Sequence, residues 1–71
     1  MARFVNFPAT IETERGQTIE WLNLDSVKGF HLWHKESTDY VDVYFVDGDS
    51  YHGVKQDINP FVDLIEEQRR P

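Results

Sequence analysis

The sequence predicts an α+β fold: a single small antiparallel β-meander of about five strands, followed by one C-terminal amphipathic helix. Apolar and polar side chains alternate over residues 40–46, which is the period of a β-strand. Asp47-Gly48 follows directly, and this dipeptide is a strong short-range indication of a hairpin turn. After Asn59-Pro60 the spacing of apolar residues changes to that of a helix.

A chain of 71 residues has room for one domain. We expect that domain to span residues 1–71, with the meander over roughly 3–55 and the helix over roughly 60–70. Two Trp, three Tyr and five Phe help to build a core in so short a chain, because each large ring buries about 150–250 Å².

The absence of cysteine favours a cytoplasmic location, because small secreted domains commonly need disulfides. The sequence has neither an apolar run of membrane-helix length nor a signal-peptide pattern after Met1. We therefore expect a complete short protein without a membrane segment.

Thirteen acidic and seven basic residues give a net charge of −6. This charge opposes binding to nucleic-acid phosphates and to anionic membranes. Two interpretations remain open. The acidic surface serves solubility alone, or it steers the protein to a basic partner.

The first two predicted strands cover residues 4–13 and 18–24. Glu14-Arg15-Gly16 has the length of a three-residue hairpin loop, with Gly16 in the left-handed conformation. Pro8 predicts an edge position or a bend in the first strand, because proline cannot donate to a sheet ladder. The loop predicts these cross-strand pairs: Thr13 with Gln17, Ile11 with Ile19, and Ala9 with Trp21.

The third strand is expected over residues 27–35, with Gly29 marking a bulge or a close backbone approach. A four-residue loop over 36–39 leads into the strand at 40–46, and a last strand covers roughly 50–55. The third and fourth strands then pair His34 with Val41, Leu32 with Val43, and Phe30 with Phe45. A two-residue turn at Asp47-Gly48 pairs Phe45 with Ser50, Tyr44 with Tyr51, and Val43 with His52.

The C-terminal helix is predicted from its first residues and from its apolar face. Asn59 suits the N-cap position, and Pro60 suits the first helical position. Phe61, Leu64 and Ile65 then fall on one side of the helix, which we expect to cover the sheet.

The predicted register gives the sheet two faces that both carry bulky side chains. The more aliphatic face is assigned to the core beneath the helix and contains Phe30, Leu32, His34, Val41, Val43, Phe45 and His52. The predicted outer face is more aromatic and contains His31, Trp33, Tyr40, Asp42, Tyr44, Val46 and Tyr51. A register error of one residue would exchange the two faces.

The candidate binding site is the aromatic part of the predicted outer face, because such side chains dominate protein interfaces. It consists of His31, Trp33, Tyr44 and Tyr51, with an acidic rim of Asp39, Asp42, Asp47 and Asp49. Three interpretations remain open for what covers it: the N-terminal hairpin as a second internal core, a second copy of the chain, or a different protein.

No pattern of residues indicates an enzyme, a cofactor or a metal site. His31 and His34 have H-x-x-H spacing, but residues three apart on a strand face opposite ways. Asp47 and Asp49 flank a turn glycine and lack the further ligands of a calcium loop. Ser26, Ser37 and Ser50 lack the G-x-S-x-G context of a nucleophile, and no phosphate-binding loop is present.

We therefore expect a non-enzymatic protein-interaction domain whose partner is a second copy, as a homodimer, or another protein with a basic surface. Small acidic proteins of this kind are frequent in phages and mobile elements, and we expect this chain to be an inhibitor or regulator of that type. No small-molecule substrate is inferred. The alternative is weak binding of single-stranded nucleic acid by base stacking on the aromatic side chains. Acidic residues outnumber the nearest cations, Lys28, Lys35 and Lys55, which argues against this alternative.

Overall fold

The computed structural model describes residues 3–69, and the side chains of residues 3–67. It contains β1 (Phe4–Glu12), β2 (Thr18–Asn23), β3 (Val27–Lys35), β4 (Thr38–Phe45), β5 (Ser50–Val54) and α1 (Asn59–Arg69). The predicted α+β class, with five antiparallel strands before a C-terminal helix, is confirmed. The strands are divided between two sheets, a β1-β2 hairpin and a three-stranded sheet in the order β3-β4-β5.

The β1-β2 hairpin has the predicted three-residue loop. Gly16 has a φ of +86° and its N–H donates to the carbonyl of Thr13 at 2.9 Å. The predicted pairing of Ile11 with Ile19 is confirmed. The predicted pairing of Ala9 with Trp21 is wrong, because Trp21 pairs with Asn6. The register shifts between residues 6 and 11, a stretch that contains Pro8, whose missing N–H interrupts the ladder.

The β3-β4 turn is shorter than predicted. Glu36 and Ser37 have φ values of 50° and 67°, and they form a two-residue turn that pairs Lys35 with Thr38. Leu32 therefore pairs with Val41, two residues from the predicted partner. Because side chains alternate with a period of two, a shift of two residues leaves every side chain on its predicted face. The predicted bulge at Gly29 is present.

The β4-β5 turn is longer than predicted. The Gly48 N–H donates to the Phe45 carbonyl at 3.1 Å, and the Phe45 N–H donates to the Asp49 carbonyl at 2.9 Å, which encloses a three-residue loop. Gly48 has a φ of +94°, the left-handed conformation that closes such a loop. The predicted register is therefore wrong by one residue. Val43 pairs with Tyr51 and Asp42 pairs with His52, so β5 is turned over relative to the prediction.

The core lies on the inner face of the three-stranded sheet. The buried apolar side chains come from both sheets, from α1 and from the turn before it: Val5, Phe7, Ile11, Leu22, Val41, Val43, Phe45, Tyr51, Ile58, Phe61, Val62 and Ile65. A short 3-10 helix (Lys55–Ile58) runs directly into α1. Asn59 is helical, with φ −50° and ψ −43°, so its predicted N-cap role is wrong.

Tyr51 belongs to this core. Its side chain lies so close to Gly53 that a Cβ at that position would overlap the phenol ring. Burial, together with the nearby charge of Asp57, raises the pKa of Tyr51 above its ordinary value of 10.0. Tyr51 is therefore not part of the exposed site that the sequence suggested.

Asp49 joins the two hairpins. Its buried carboxylate accepts hydrogen bonds from Thr13 Oγ1 at 2.5 Å, Gln17 Nε2 at 2.8 Å, and the N–H groups of Ser50 and Arg15 at 2.8 and 3.1 Å. Burial acts to raise the pKa of this carboxyl, but the hydrogen bonds and the charge of Arg15 outweigh it and hold the pKa below 3.8. Asp49 is thus an internal link and not a rim residue.

Candidate binding surface on the three-stranded sheet

The outward-facing residues of the three-stranded sheet form three rows across β3, β4 and β5. In strand order, the rows are Trp33, Tyr40 and Val54; His31, Asp42 and His52; and Gly29, Tyr44 and Ser50. We use the name aromatic face for the six larger or charged side chains at the centre of this surface: His31, Trp33, Tyr40, Asp42, Tyr44 and His52.

Asp42 organises the polar atoms of the aromatic face. Its side chain is only 16% exposed, and its Oδ2 accepts a hydrogen bond from Trp33 Nε1 at 3.0 Å. The other oxygen, Oδ1, lies 2.8 Å from His52 Nδ1. His31 Nδ1 lies 3.8 Å from Oδ2, within ion-pair distance when that imidazole is protonated. One carboxylate therefore holds side chains from both neighbouring strands.

The aromatic rings pack against one another and still contact solvent. Trp33 stacks on Tyr40 with ring centroids 4.4 Å apart and an interplanar angle of 18°. Tyr44 meets His52 edge to face at 6.0 Å. Trp33 and Tyr44 remain 37% and 42% exposed. The surface is therefore ordered by contacts within the sheet and open on its outer side.

The N-terminal hairpin does not cover the aromatic face. Its buried side chains, such as Phe7 and Leu22, belong to the core on the other side of the three-stranded sheet. The interpretation in which this hairpin converts the outer face into a second internal core is therefore wrong.

The structure brings together three of the four predicted aromatic-site residues, His31, Trp33 and Tyr44. The fourth, Tyr51, is only 7% exposed and lies in the core. His52 takes the place on the aromatic face that was predicted for Tyr51, and it was predicted to face the core. The reason is the extra residue in the β4-β5 loop, which reverses the two sides of β5.

The four acidic residues of the predicted rim lie in different environments. Asp42 is at the centre of the aromatic face, and Asp49 is buried between the hairpins. Asp39 is exposed near the β3-β4 turn, where its Oδ1 lies 2.7 Å from His34 Nδ1. Asp47 is exposed in the β4-β5 loop, and its Oδ1 accepts the N–H of Asp49 at 2.9 Å. Of these four, Asp39 and Asp47 are therefore the exposed acids at the ends of the sheet.

A hydrogen-bond chain that the sequence patterns did not indicate extends from Asp42 through His52 to Ser50. His52 Nδ1 lies 2.8 Å from Asp42 Oδ1, and its Nε2 lies 3.1 Å from Ser50 Oγ. Ser50 and His52 are two residues apart on β5, so both point outward, and Asp42 is the cross-strand partner of His52. The spacing of Ser50 and His52 indicates that both point to the same face of β5. The predicted register placed that face toward the core, so the contact of His52 with Asp42 was not predicted.

A second apolar surface lies outside the three-stranded sheet. Phe4, Trp21 and Val46 are all exposed, and they line a shallow cleft of about 260 Å³ between the β1-β2 hairpin and the β4-β5 loop. The sequence predicted that Trp21 pairs with Ala9. Trp21 pairs with Asn6 instead of Ala9, and its side chain is 62% exposed.

Within residues 3–69, no group of three or more His, Cys, Asp or Glu side chains is arranged to hold a metal ion. Over the same residues, no helix has the length and apolar character needed to cross a membrane. Comparison with family models, with curated proteins and with solved structures found no match.

Proposed function

We propose that this chain is a small acidic, non-enzymatic protein-interaction domain that binds its partner through the aromatic face. The observation that carries the proposal is an open sheet surface on which Trp33 and Tyr44 are exposed, while hydrogen bonds to Asp42 hold Trp33 and His52. Trp and Tyr are the side chains that contribute most often to binding energy at protein interfaces.

The order of the aromatic face supports this proposal. Binding normally costs conformational entropy, because side chains that were mobile become fixed at the interface. Here the indole of Trp33 is already held by the Tyr40 ring and by the Asp42 carboxylate. A surface fixed in advance loses less entropy on binding and therefore binds more tightly for the same contact area.

The proposed partner is a second copy of the chain or another protein with a basic surface. The net charge of −6 attracts a basic protein, and Asp39 and Asp47 are exposed near opposite ends of the sheet. We propose that the acidic domain acts as an inhibitor or regulator of its partner, of the kind found in phages and mobile elements. The absence of cysteine supports a cytoplasmic setting.

The alternative function is weak binding of single-stranded nucleic acid by base stacking. An exposed aromatic sheet surface supports it, since bases stack on Trp and Tyr. Two features oppose it. One side of the Trp33 ring is already occupied by Tyr40, and the net charge repels phosphates. Salt-dependent binding of a fluorescent single-stranded oligonucleotide would favour this alternative.

Three versions of the protein test the proposal: wild type, the double variant Trp33→Ala/Tyr44→Ala, and the control Trp21→Ala. Trp21 is a second exposed Trp, but it lies on the β1-β2 hairpin. Each version is immobilised on a resin and incubated with an extract of the source cell. The bound proteins are then identified by mass spectrometry. We expect wild type and Trp21→Ala to retain the same partner, basic or a second copy, and the double variant to lose it. Equal recovery by all three versions would contradict the proposal.

A further inference from the structure

We propose that Ser50 is an activated nucleophile that accepts an acyl group from activated acyl donors such as aryl esters and thioesters. This inference is independent of the proposed protein-binding role. It rests on the hydrogen-bond chain in which Ser50 Oγ, both nitrogens of His52 and Oδ1 of Asp42 are linked in series.

The positions of the protons in the Asp42–His52–Ser50 hydrogen-bond chain make the imidazole of His52 a base toward Ser50. An ionised carboxylate can only accept hydrogen bonds, so His52 Nδ1 carries the proton that it shares with Asp42 at 2.8 Å. In the neutral imidazole the other nitrogen, Nε2, is then an acceptor. Ser50 Oγ, 3.1 Å away, therefore donates its hydroxyl proton to Nε2. A serine, a histidine and a carboxylate have these same roles in acyl-transfer sites on unrelated folds.

The positions of the three side chains are set by the sheet. Asp42 is a positioning residue, since it acts through His52, and it is itself held by Trp33 Nε1 at 3.0 Å. The edge-to-face contact with Tyr44 restricts the other side of the His52 ring. Ser50 is half-buried and the His52 side chain is 41% exposed, so a small acyl donor can reach both.

The proposed step balances as follows. Ser50 Oγ forms a bond to the carbonyl carbon of the donor, and its proton passes to His52 Nε2. The bond between that carbon and the aryl oxygen or thiol sulfur breaks, and the leaving group takes up the proton. The products are O-acyl-Ser50 and a free phenol or thiol, and no oxidant or metal takes part.

The surroundings of Ser50 limit the reaction to good leaving groups and to a single turnover. The Ser50 N–H donates to Asp49 Oδ1 at 2.8 Å, so it does not serve as a donor to a developing oxyanion. Loss of one such donor slows acyl transfer by about 10²–10³-fold in enzymes that have them. Amides therefore do not react at Ser50, and the acyl-serine accumulates instead of hydrolysing. A reactive serine of this kind is compatible with a non-enzymatic domain.

The test uses p-nitrophenyl acetate as the acyl donor and the intact mass of the full chain as the readout. We expect one acetyl group per chain, located on Ser50 by peptide mapping, with release of one equivalent of nitrophenol, which loses its proton to the buffer and is measured as nitrophenolate. The matched control is Ser37, which is exposed at the β3-β4 turn and makes no hydrogen bond to an imidazole among the described residues. General-base assistance contributes about 10²-fold or more, so Ser50 should react about a hundred times faster than Ser37.

Four variants separate reactivity from folding. Ser50→Ala should abolish the acetylation, while Ser37→Ala should leave it unchanged. His52→Gln should slow it about a hundredfold. Asp42→Asn should slow it as well, because an amide at this position favours the wrong imidazole tautomer. Circular dichroism checks that each variant is folded. Acetylation of Ser50 at the rate of Ser37, or an equal rate in His52→Gln, would overturn the proposal.

Discussion

At the scale of single residues, Asp49 shows how a buried charge stabilises this fold. A buried carboxylate is costly unless hydrogen bonds replace its water. Asp49 accepts four, from Thr13, Arg15, Gln17 and Ser50, which belong to two different hairpins. The sequence could not show this, because D-G-D is equally compatible with an exposed turn. The burial of Asp49 follows from contacts between loops that are more than 30 residues apart.

Replacing Asp49 by Asn is expected to destabilise the protein in a pH-dependent way. Because the folded pKa is lowered, the ionised carboxylate contributes stability above its ordinary pKa of 3.8. That contribution is lost as the pH falls through 3.8 and then through the lower folded value. Thermal unfolding should show Asp49→Asn melting well below wild type at about pH 7, with a smaller difference at about pH 3.

The matched control for this prediction is Asp47→Asn. Asp47 is exposed, and an amide oxygen can still accept the Asp49 N–H. We expect this variant to melt close to wild type at both pH values. A difference between Asp49→Asn and wild type that is the same at both pH values would contradict the assigned role of the Asp49 charge.

At the scale of secondary-structure elements, loop lengths decided which predictions of the sequence were right. Alternation and turn residues were sufficient to predict all five strands, the helix and the first hairpin loop. The predicted length of the β3-β4 turn was wrong. Its two residues, Glu36 and Ser37, adopt positive φ although neither is Gly or Asn, the residues that normally indicate such a turn. That error moved the register by two residues and did not exchange faces.

The β4-β5 loop had the larger consequence for the candidate site. Asp47-Gly48 favours a two-residue turn, but the structure has three residues in the loop. One additional residue reverses β5, so Tyr51 enters the core and His52 joins the aromatic face. His31, Trp33 and Tyr44 could be predicted because β3 and β4 kept their faces. The Ser50–His52–Asp42 chain could not, because it depends on the orientation of β5.

Alanine substitution of Gly48, with Gly29 in β3 as the control, tests the geometry of the β4-β5 loop. Gly48 has a positive φ, and a Cβ there would lie 3.2 Å from the Arg15 guanidinium. Gly48→Ala should therefore lower the free energy of unfolding by about 1 kcal/mol or more. Gly29 has room for a Cβ, with nothing within 4 Å, so Gly29→Ala should change it by less than about 0.5 kcal/mol. Urea unfolding measures both. Equal losses would contradict the loop geometry.

At the scale of the whole molecule, the buried core of residues 3–67 lies on one side of the three-stranded sheet. The helix and the N-terminal hairpin both contribute to the core on the inner face. Among the described residues, Trp33 and Tyr44 on the outer face remain exposed. The outer face is nevertheless aromatic, although an exposed sheet face usually carries small polar and charged side chains. This combination is the basis for proposing that a partner protein binds there.

The most direct test of that claim is the free energy of unfolding of Trp33→Ala/Tyr44→Ala, measured in urea beside wild type. If the aromatic face is an open surface, the variant loses only the stacking and edge contacts of the two rings and the hydrogen bond from Trp33 Nε1 to Asp42. The ring contacts are worth about 0.5–1.5 kcal/mol for each pair and the hydrogen bond about 0.5–1.5 kcal/mol, so cooperative unfolding should persist with a loss of about 1.5–4.5 kcal/mol. Loss of cooperative folding would show that these rings belong to a core, and the proposed binding surface would then have no basis.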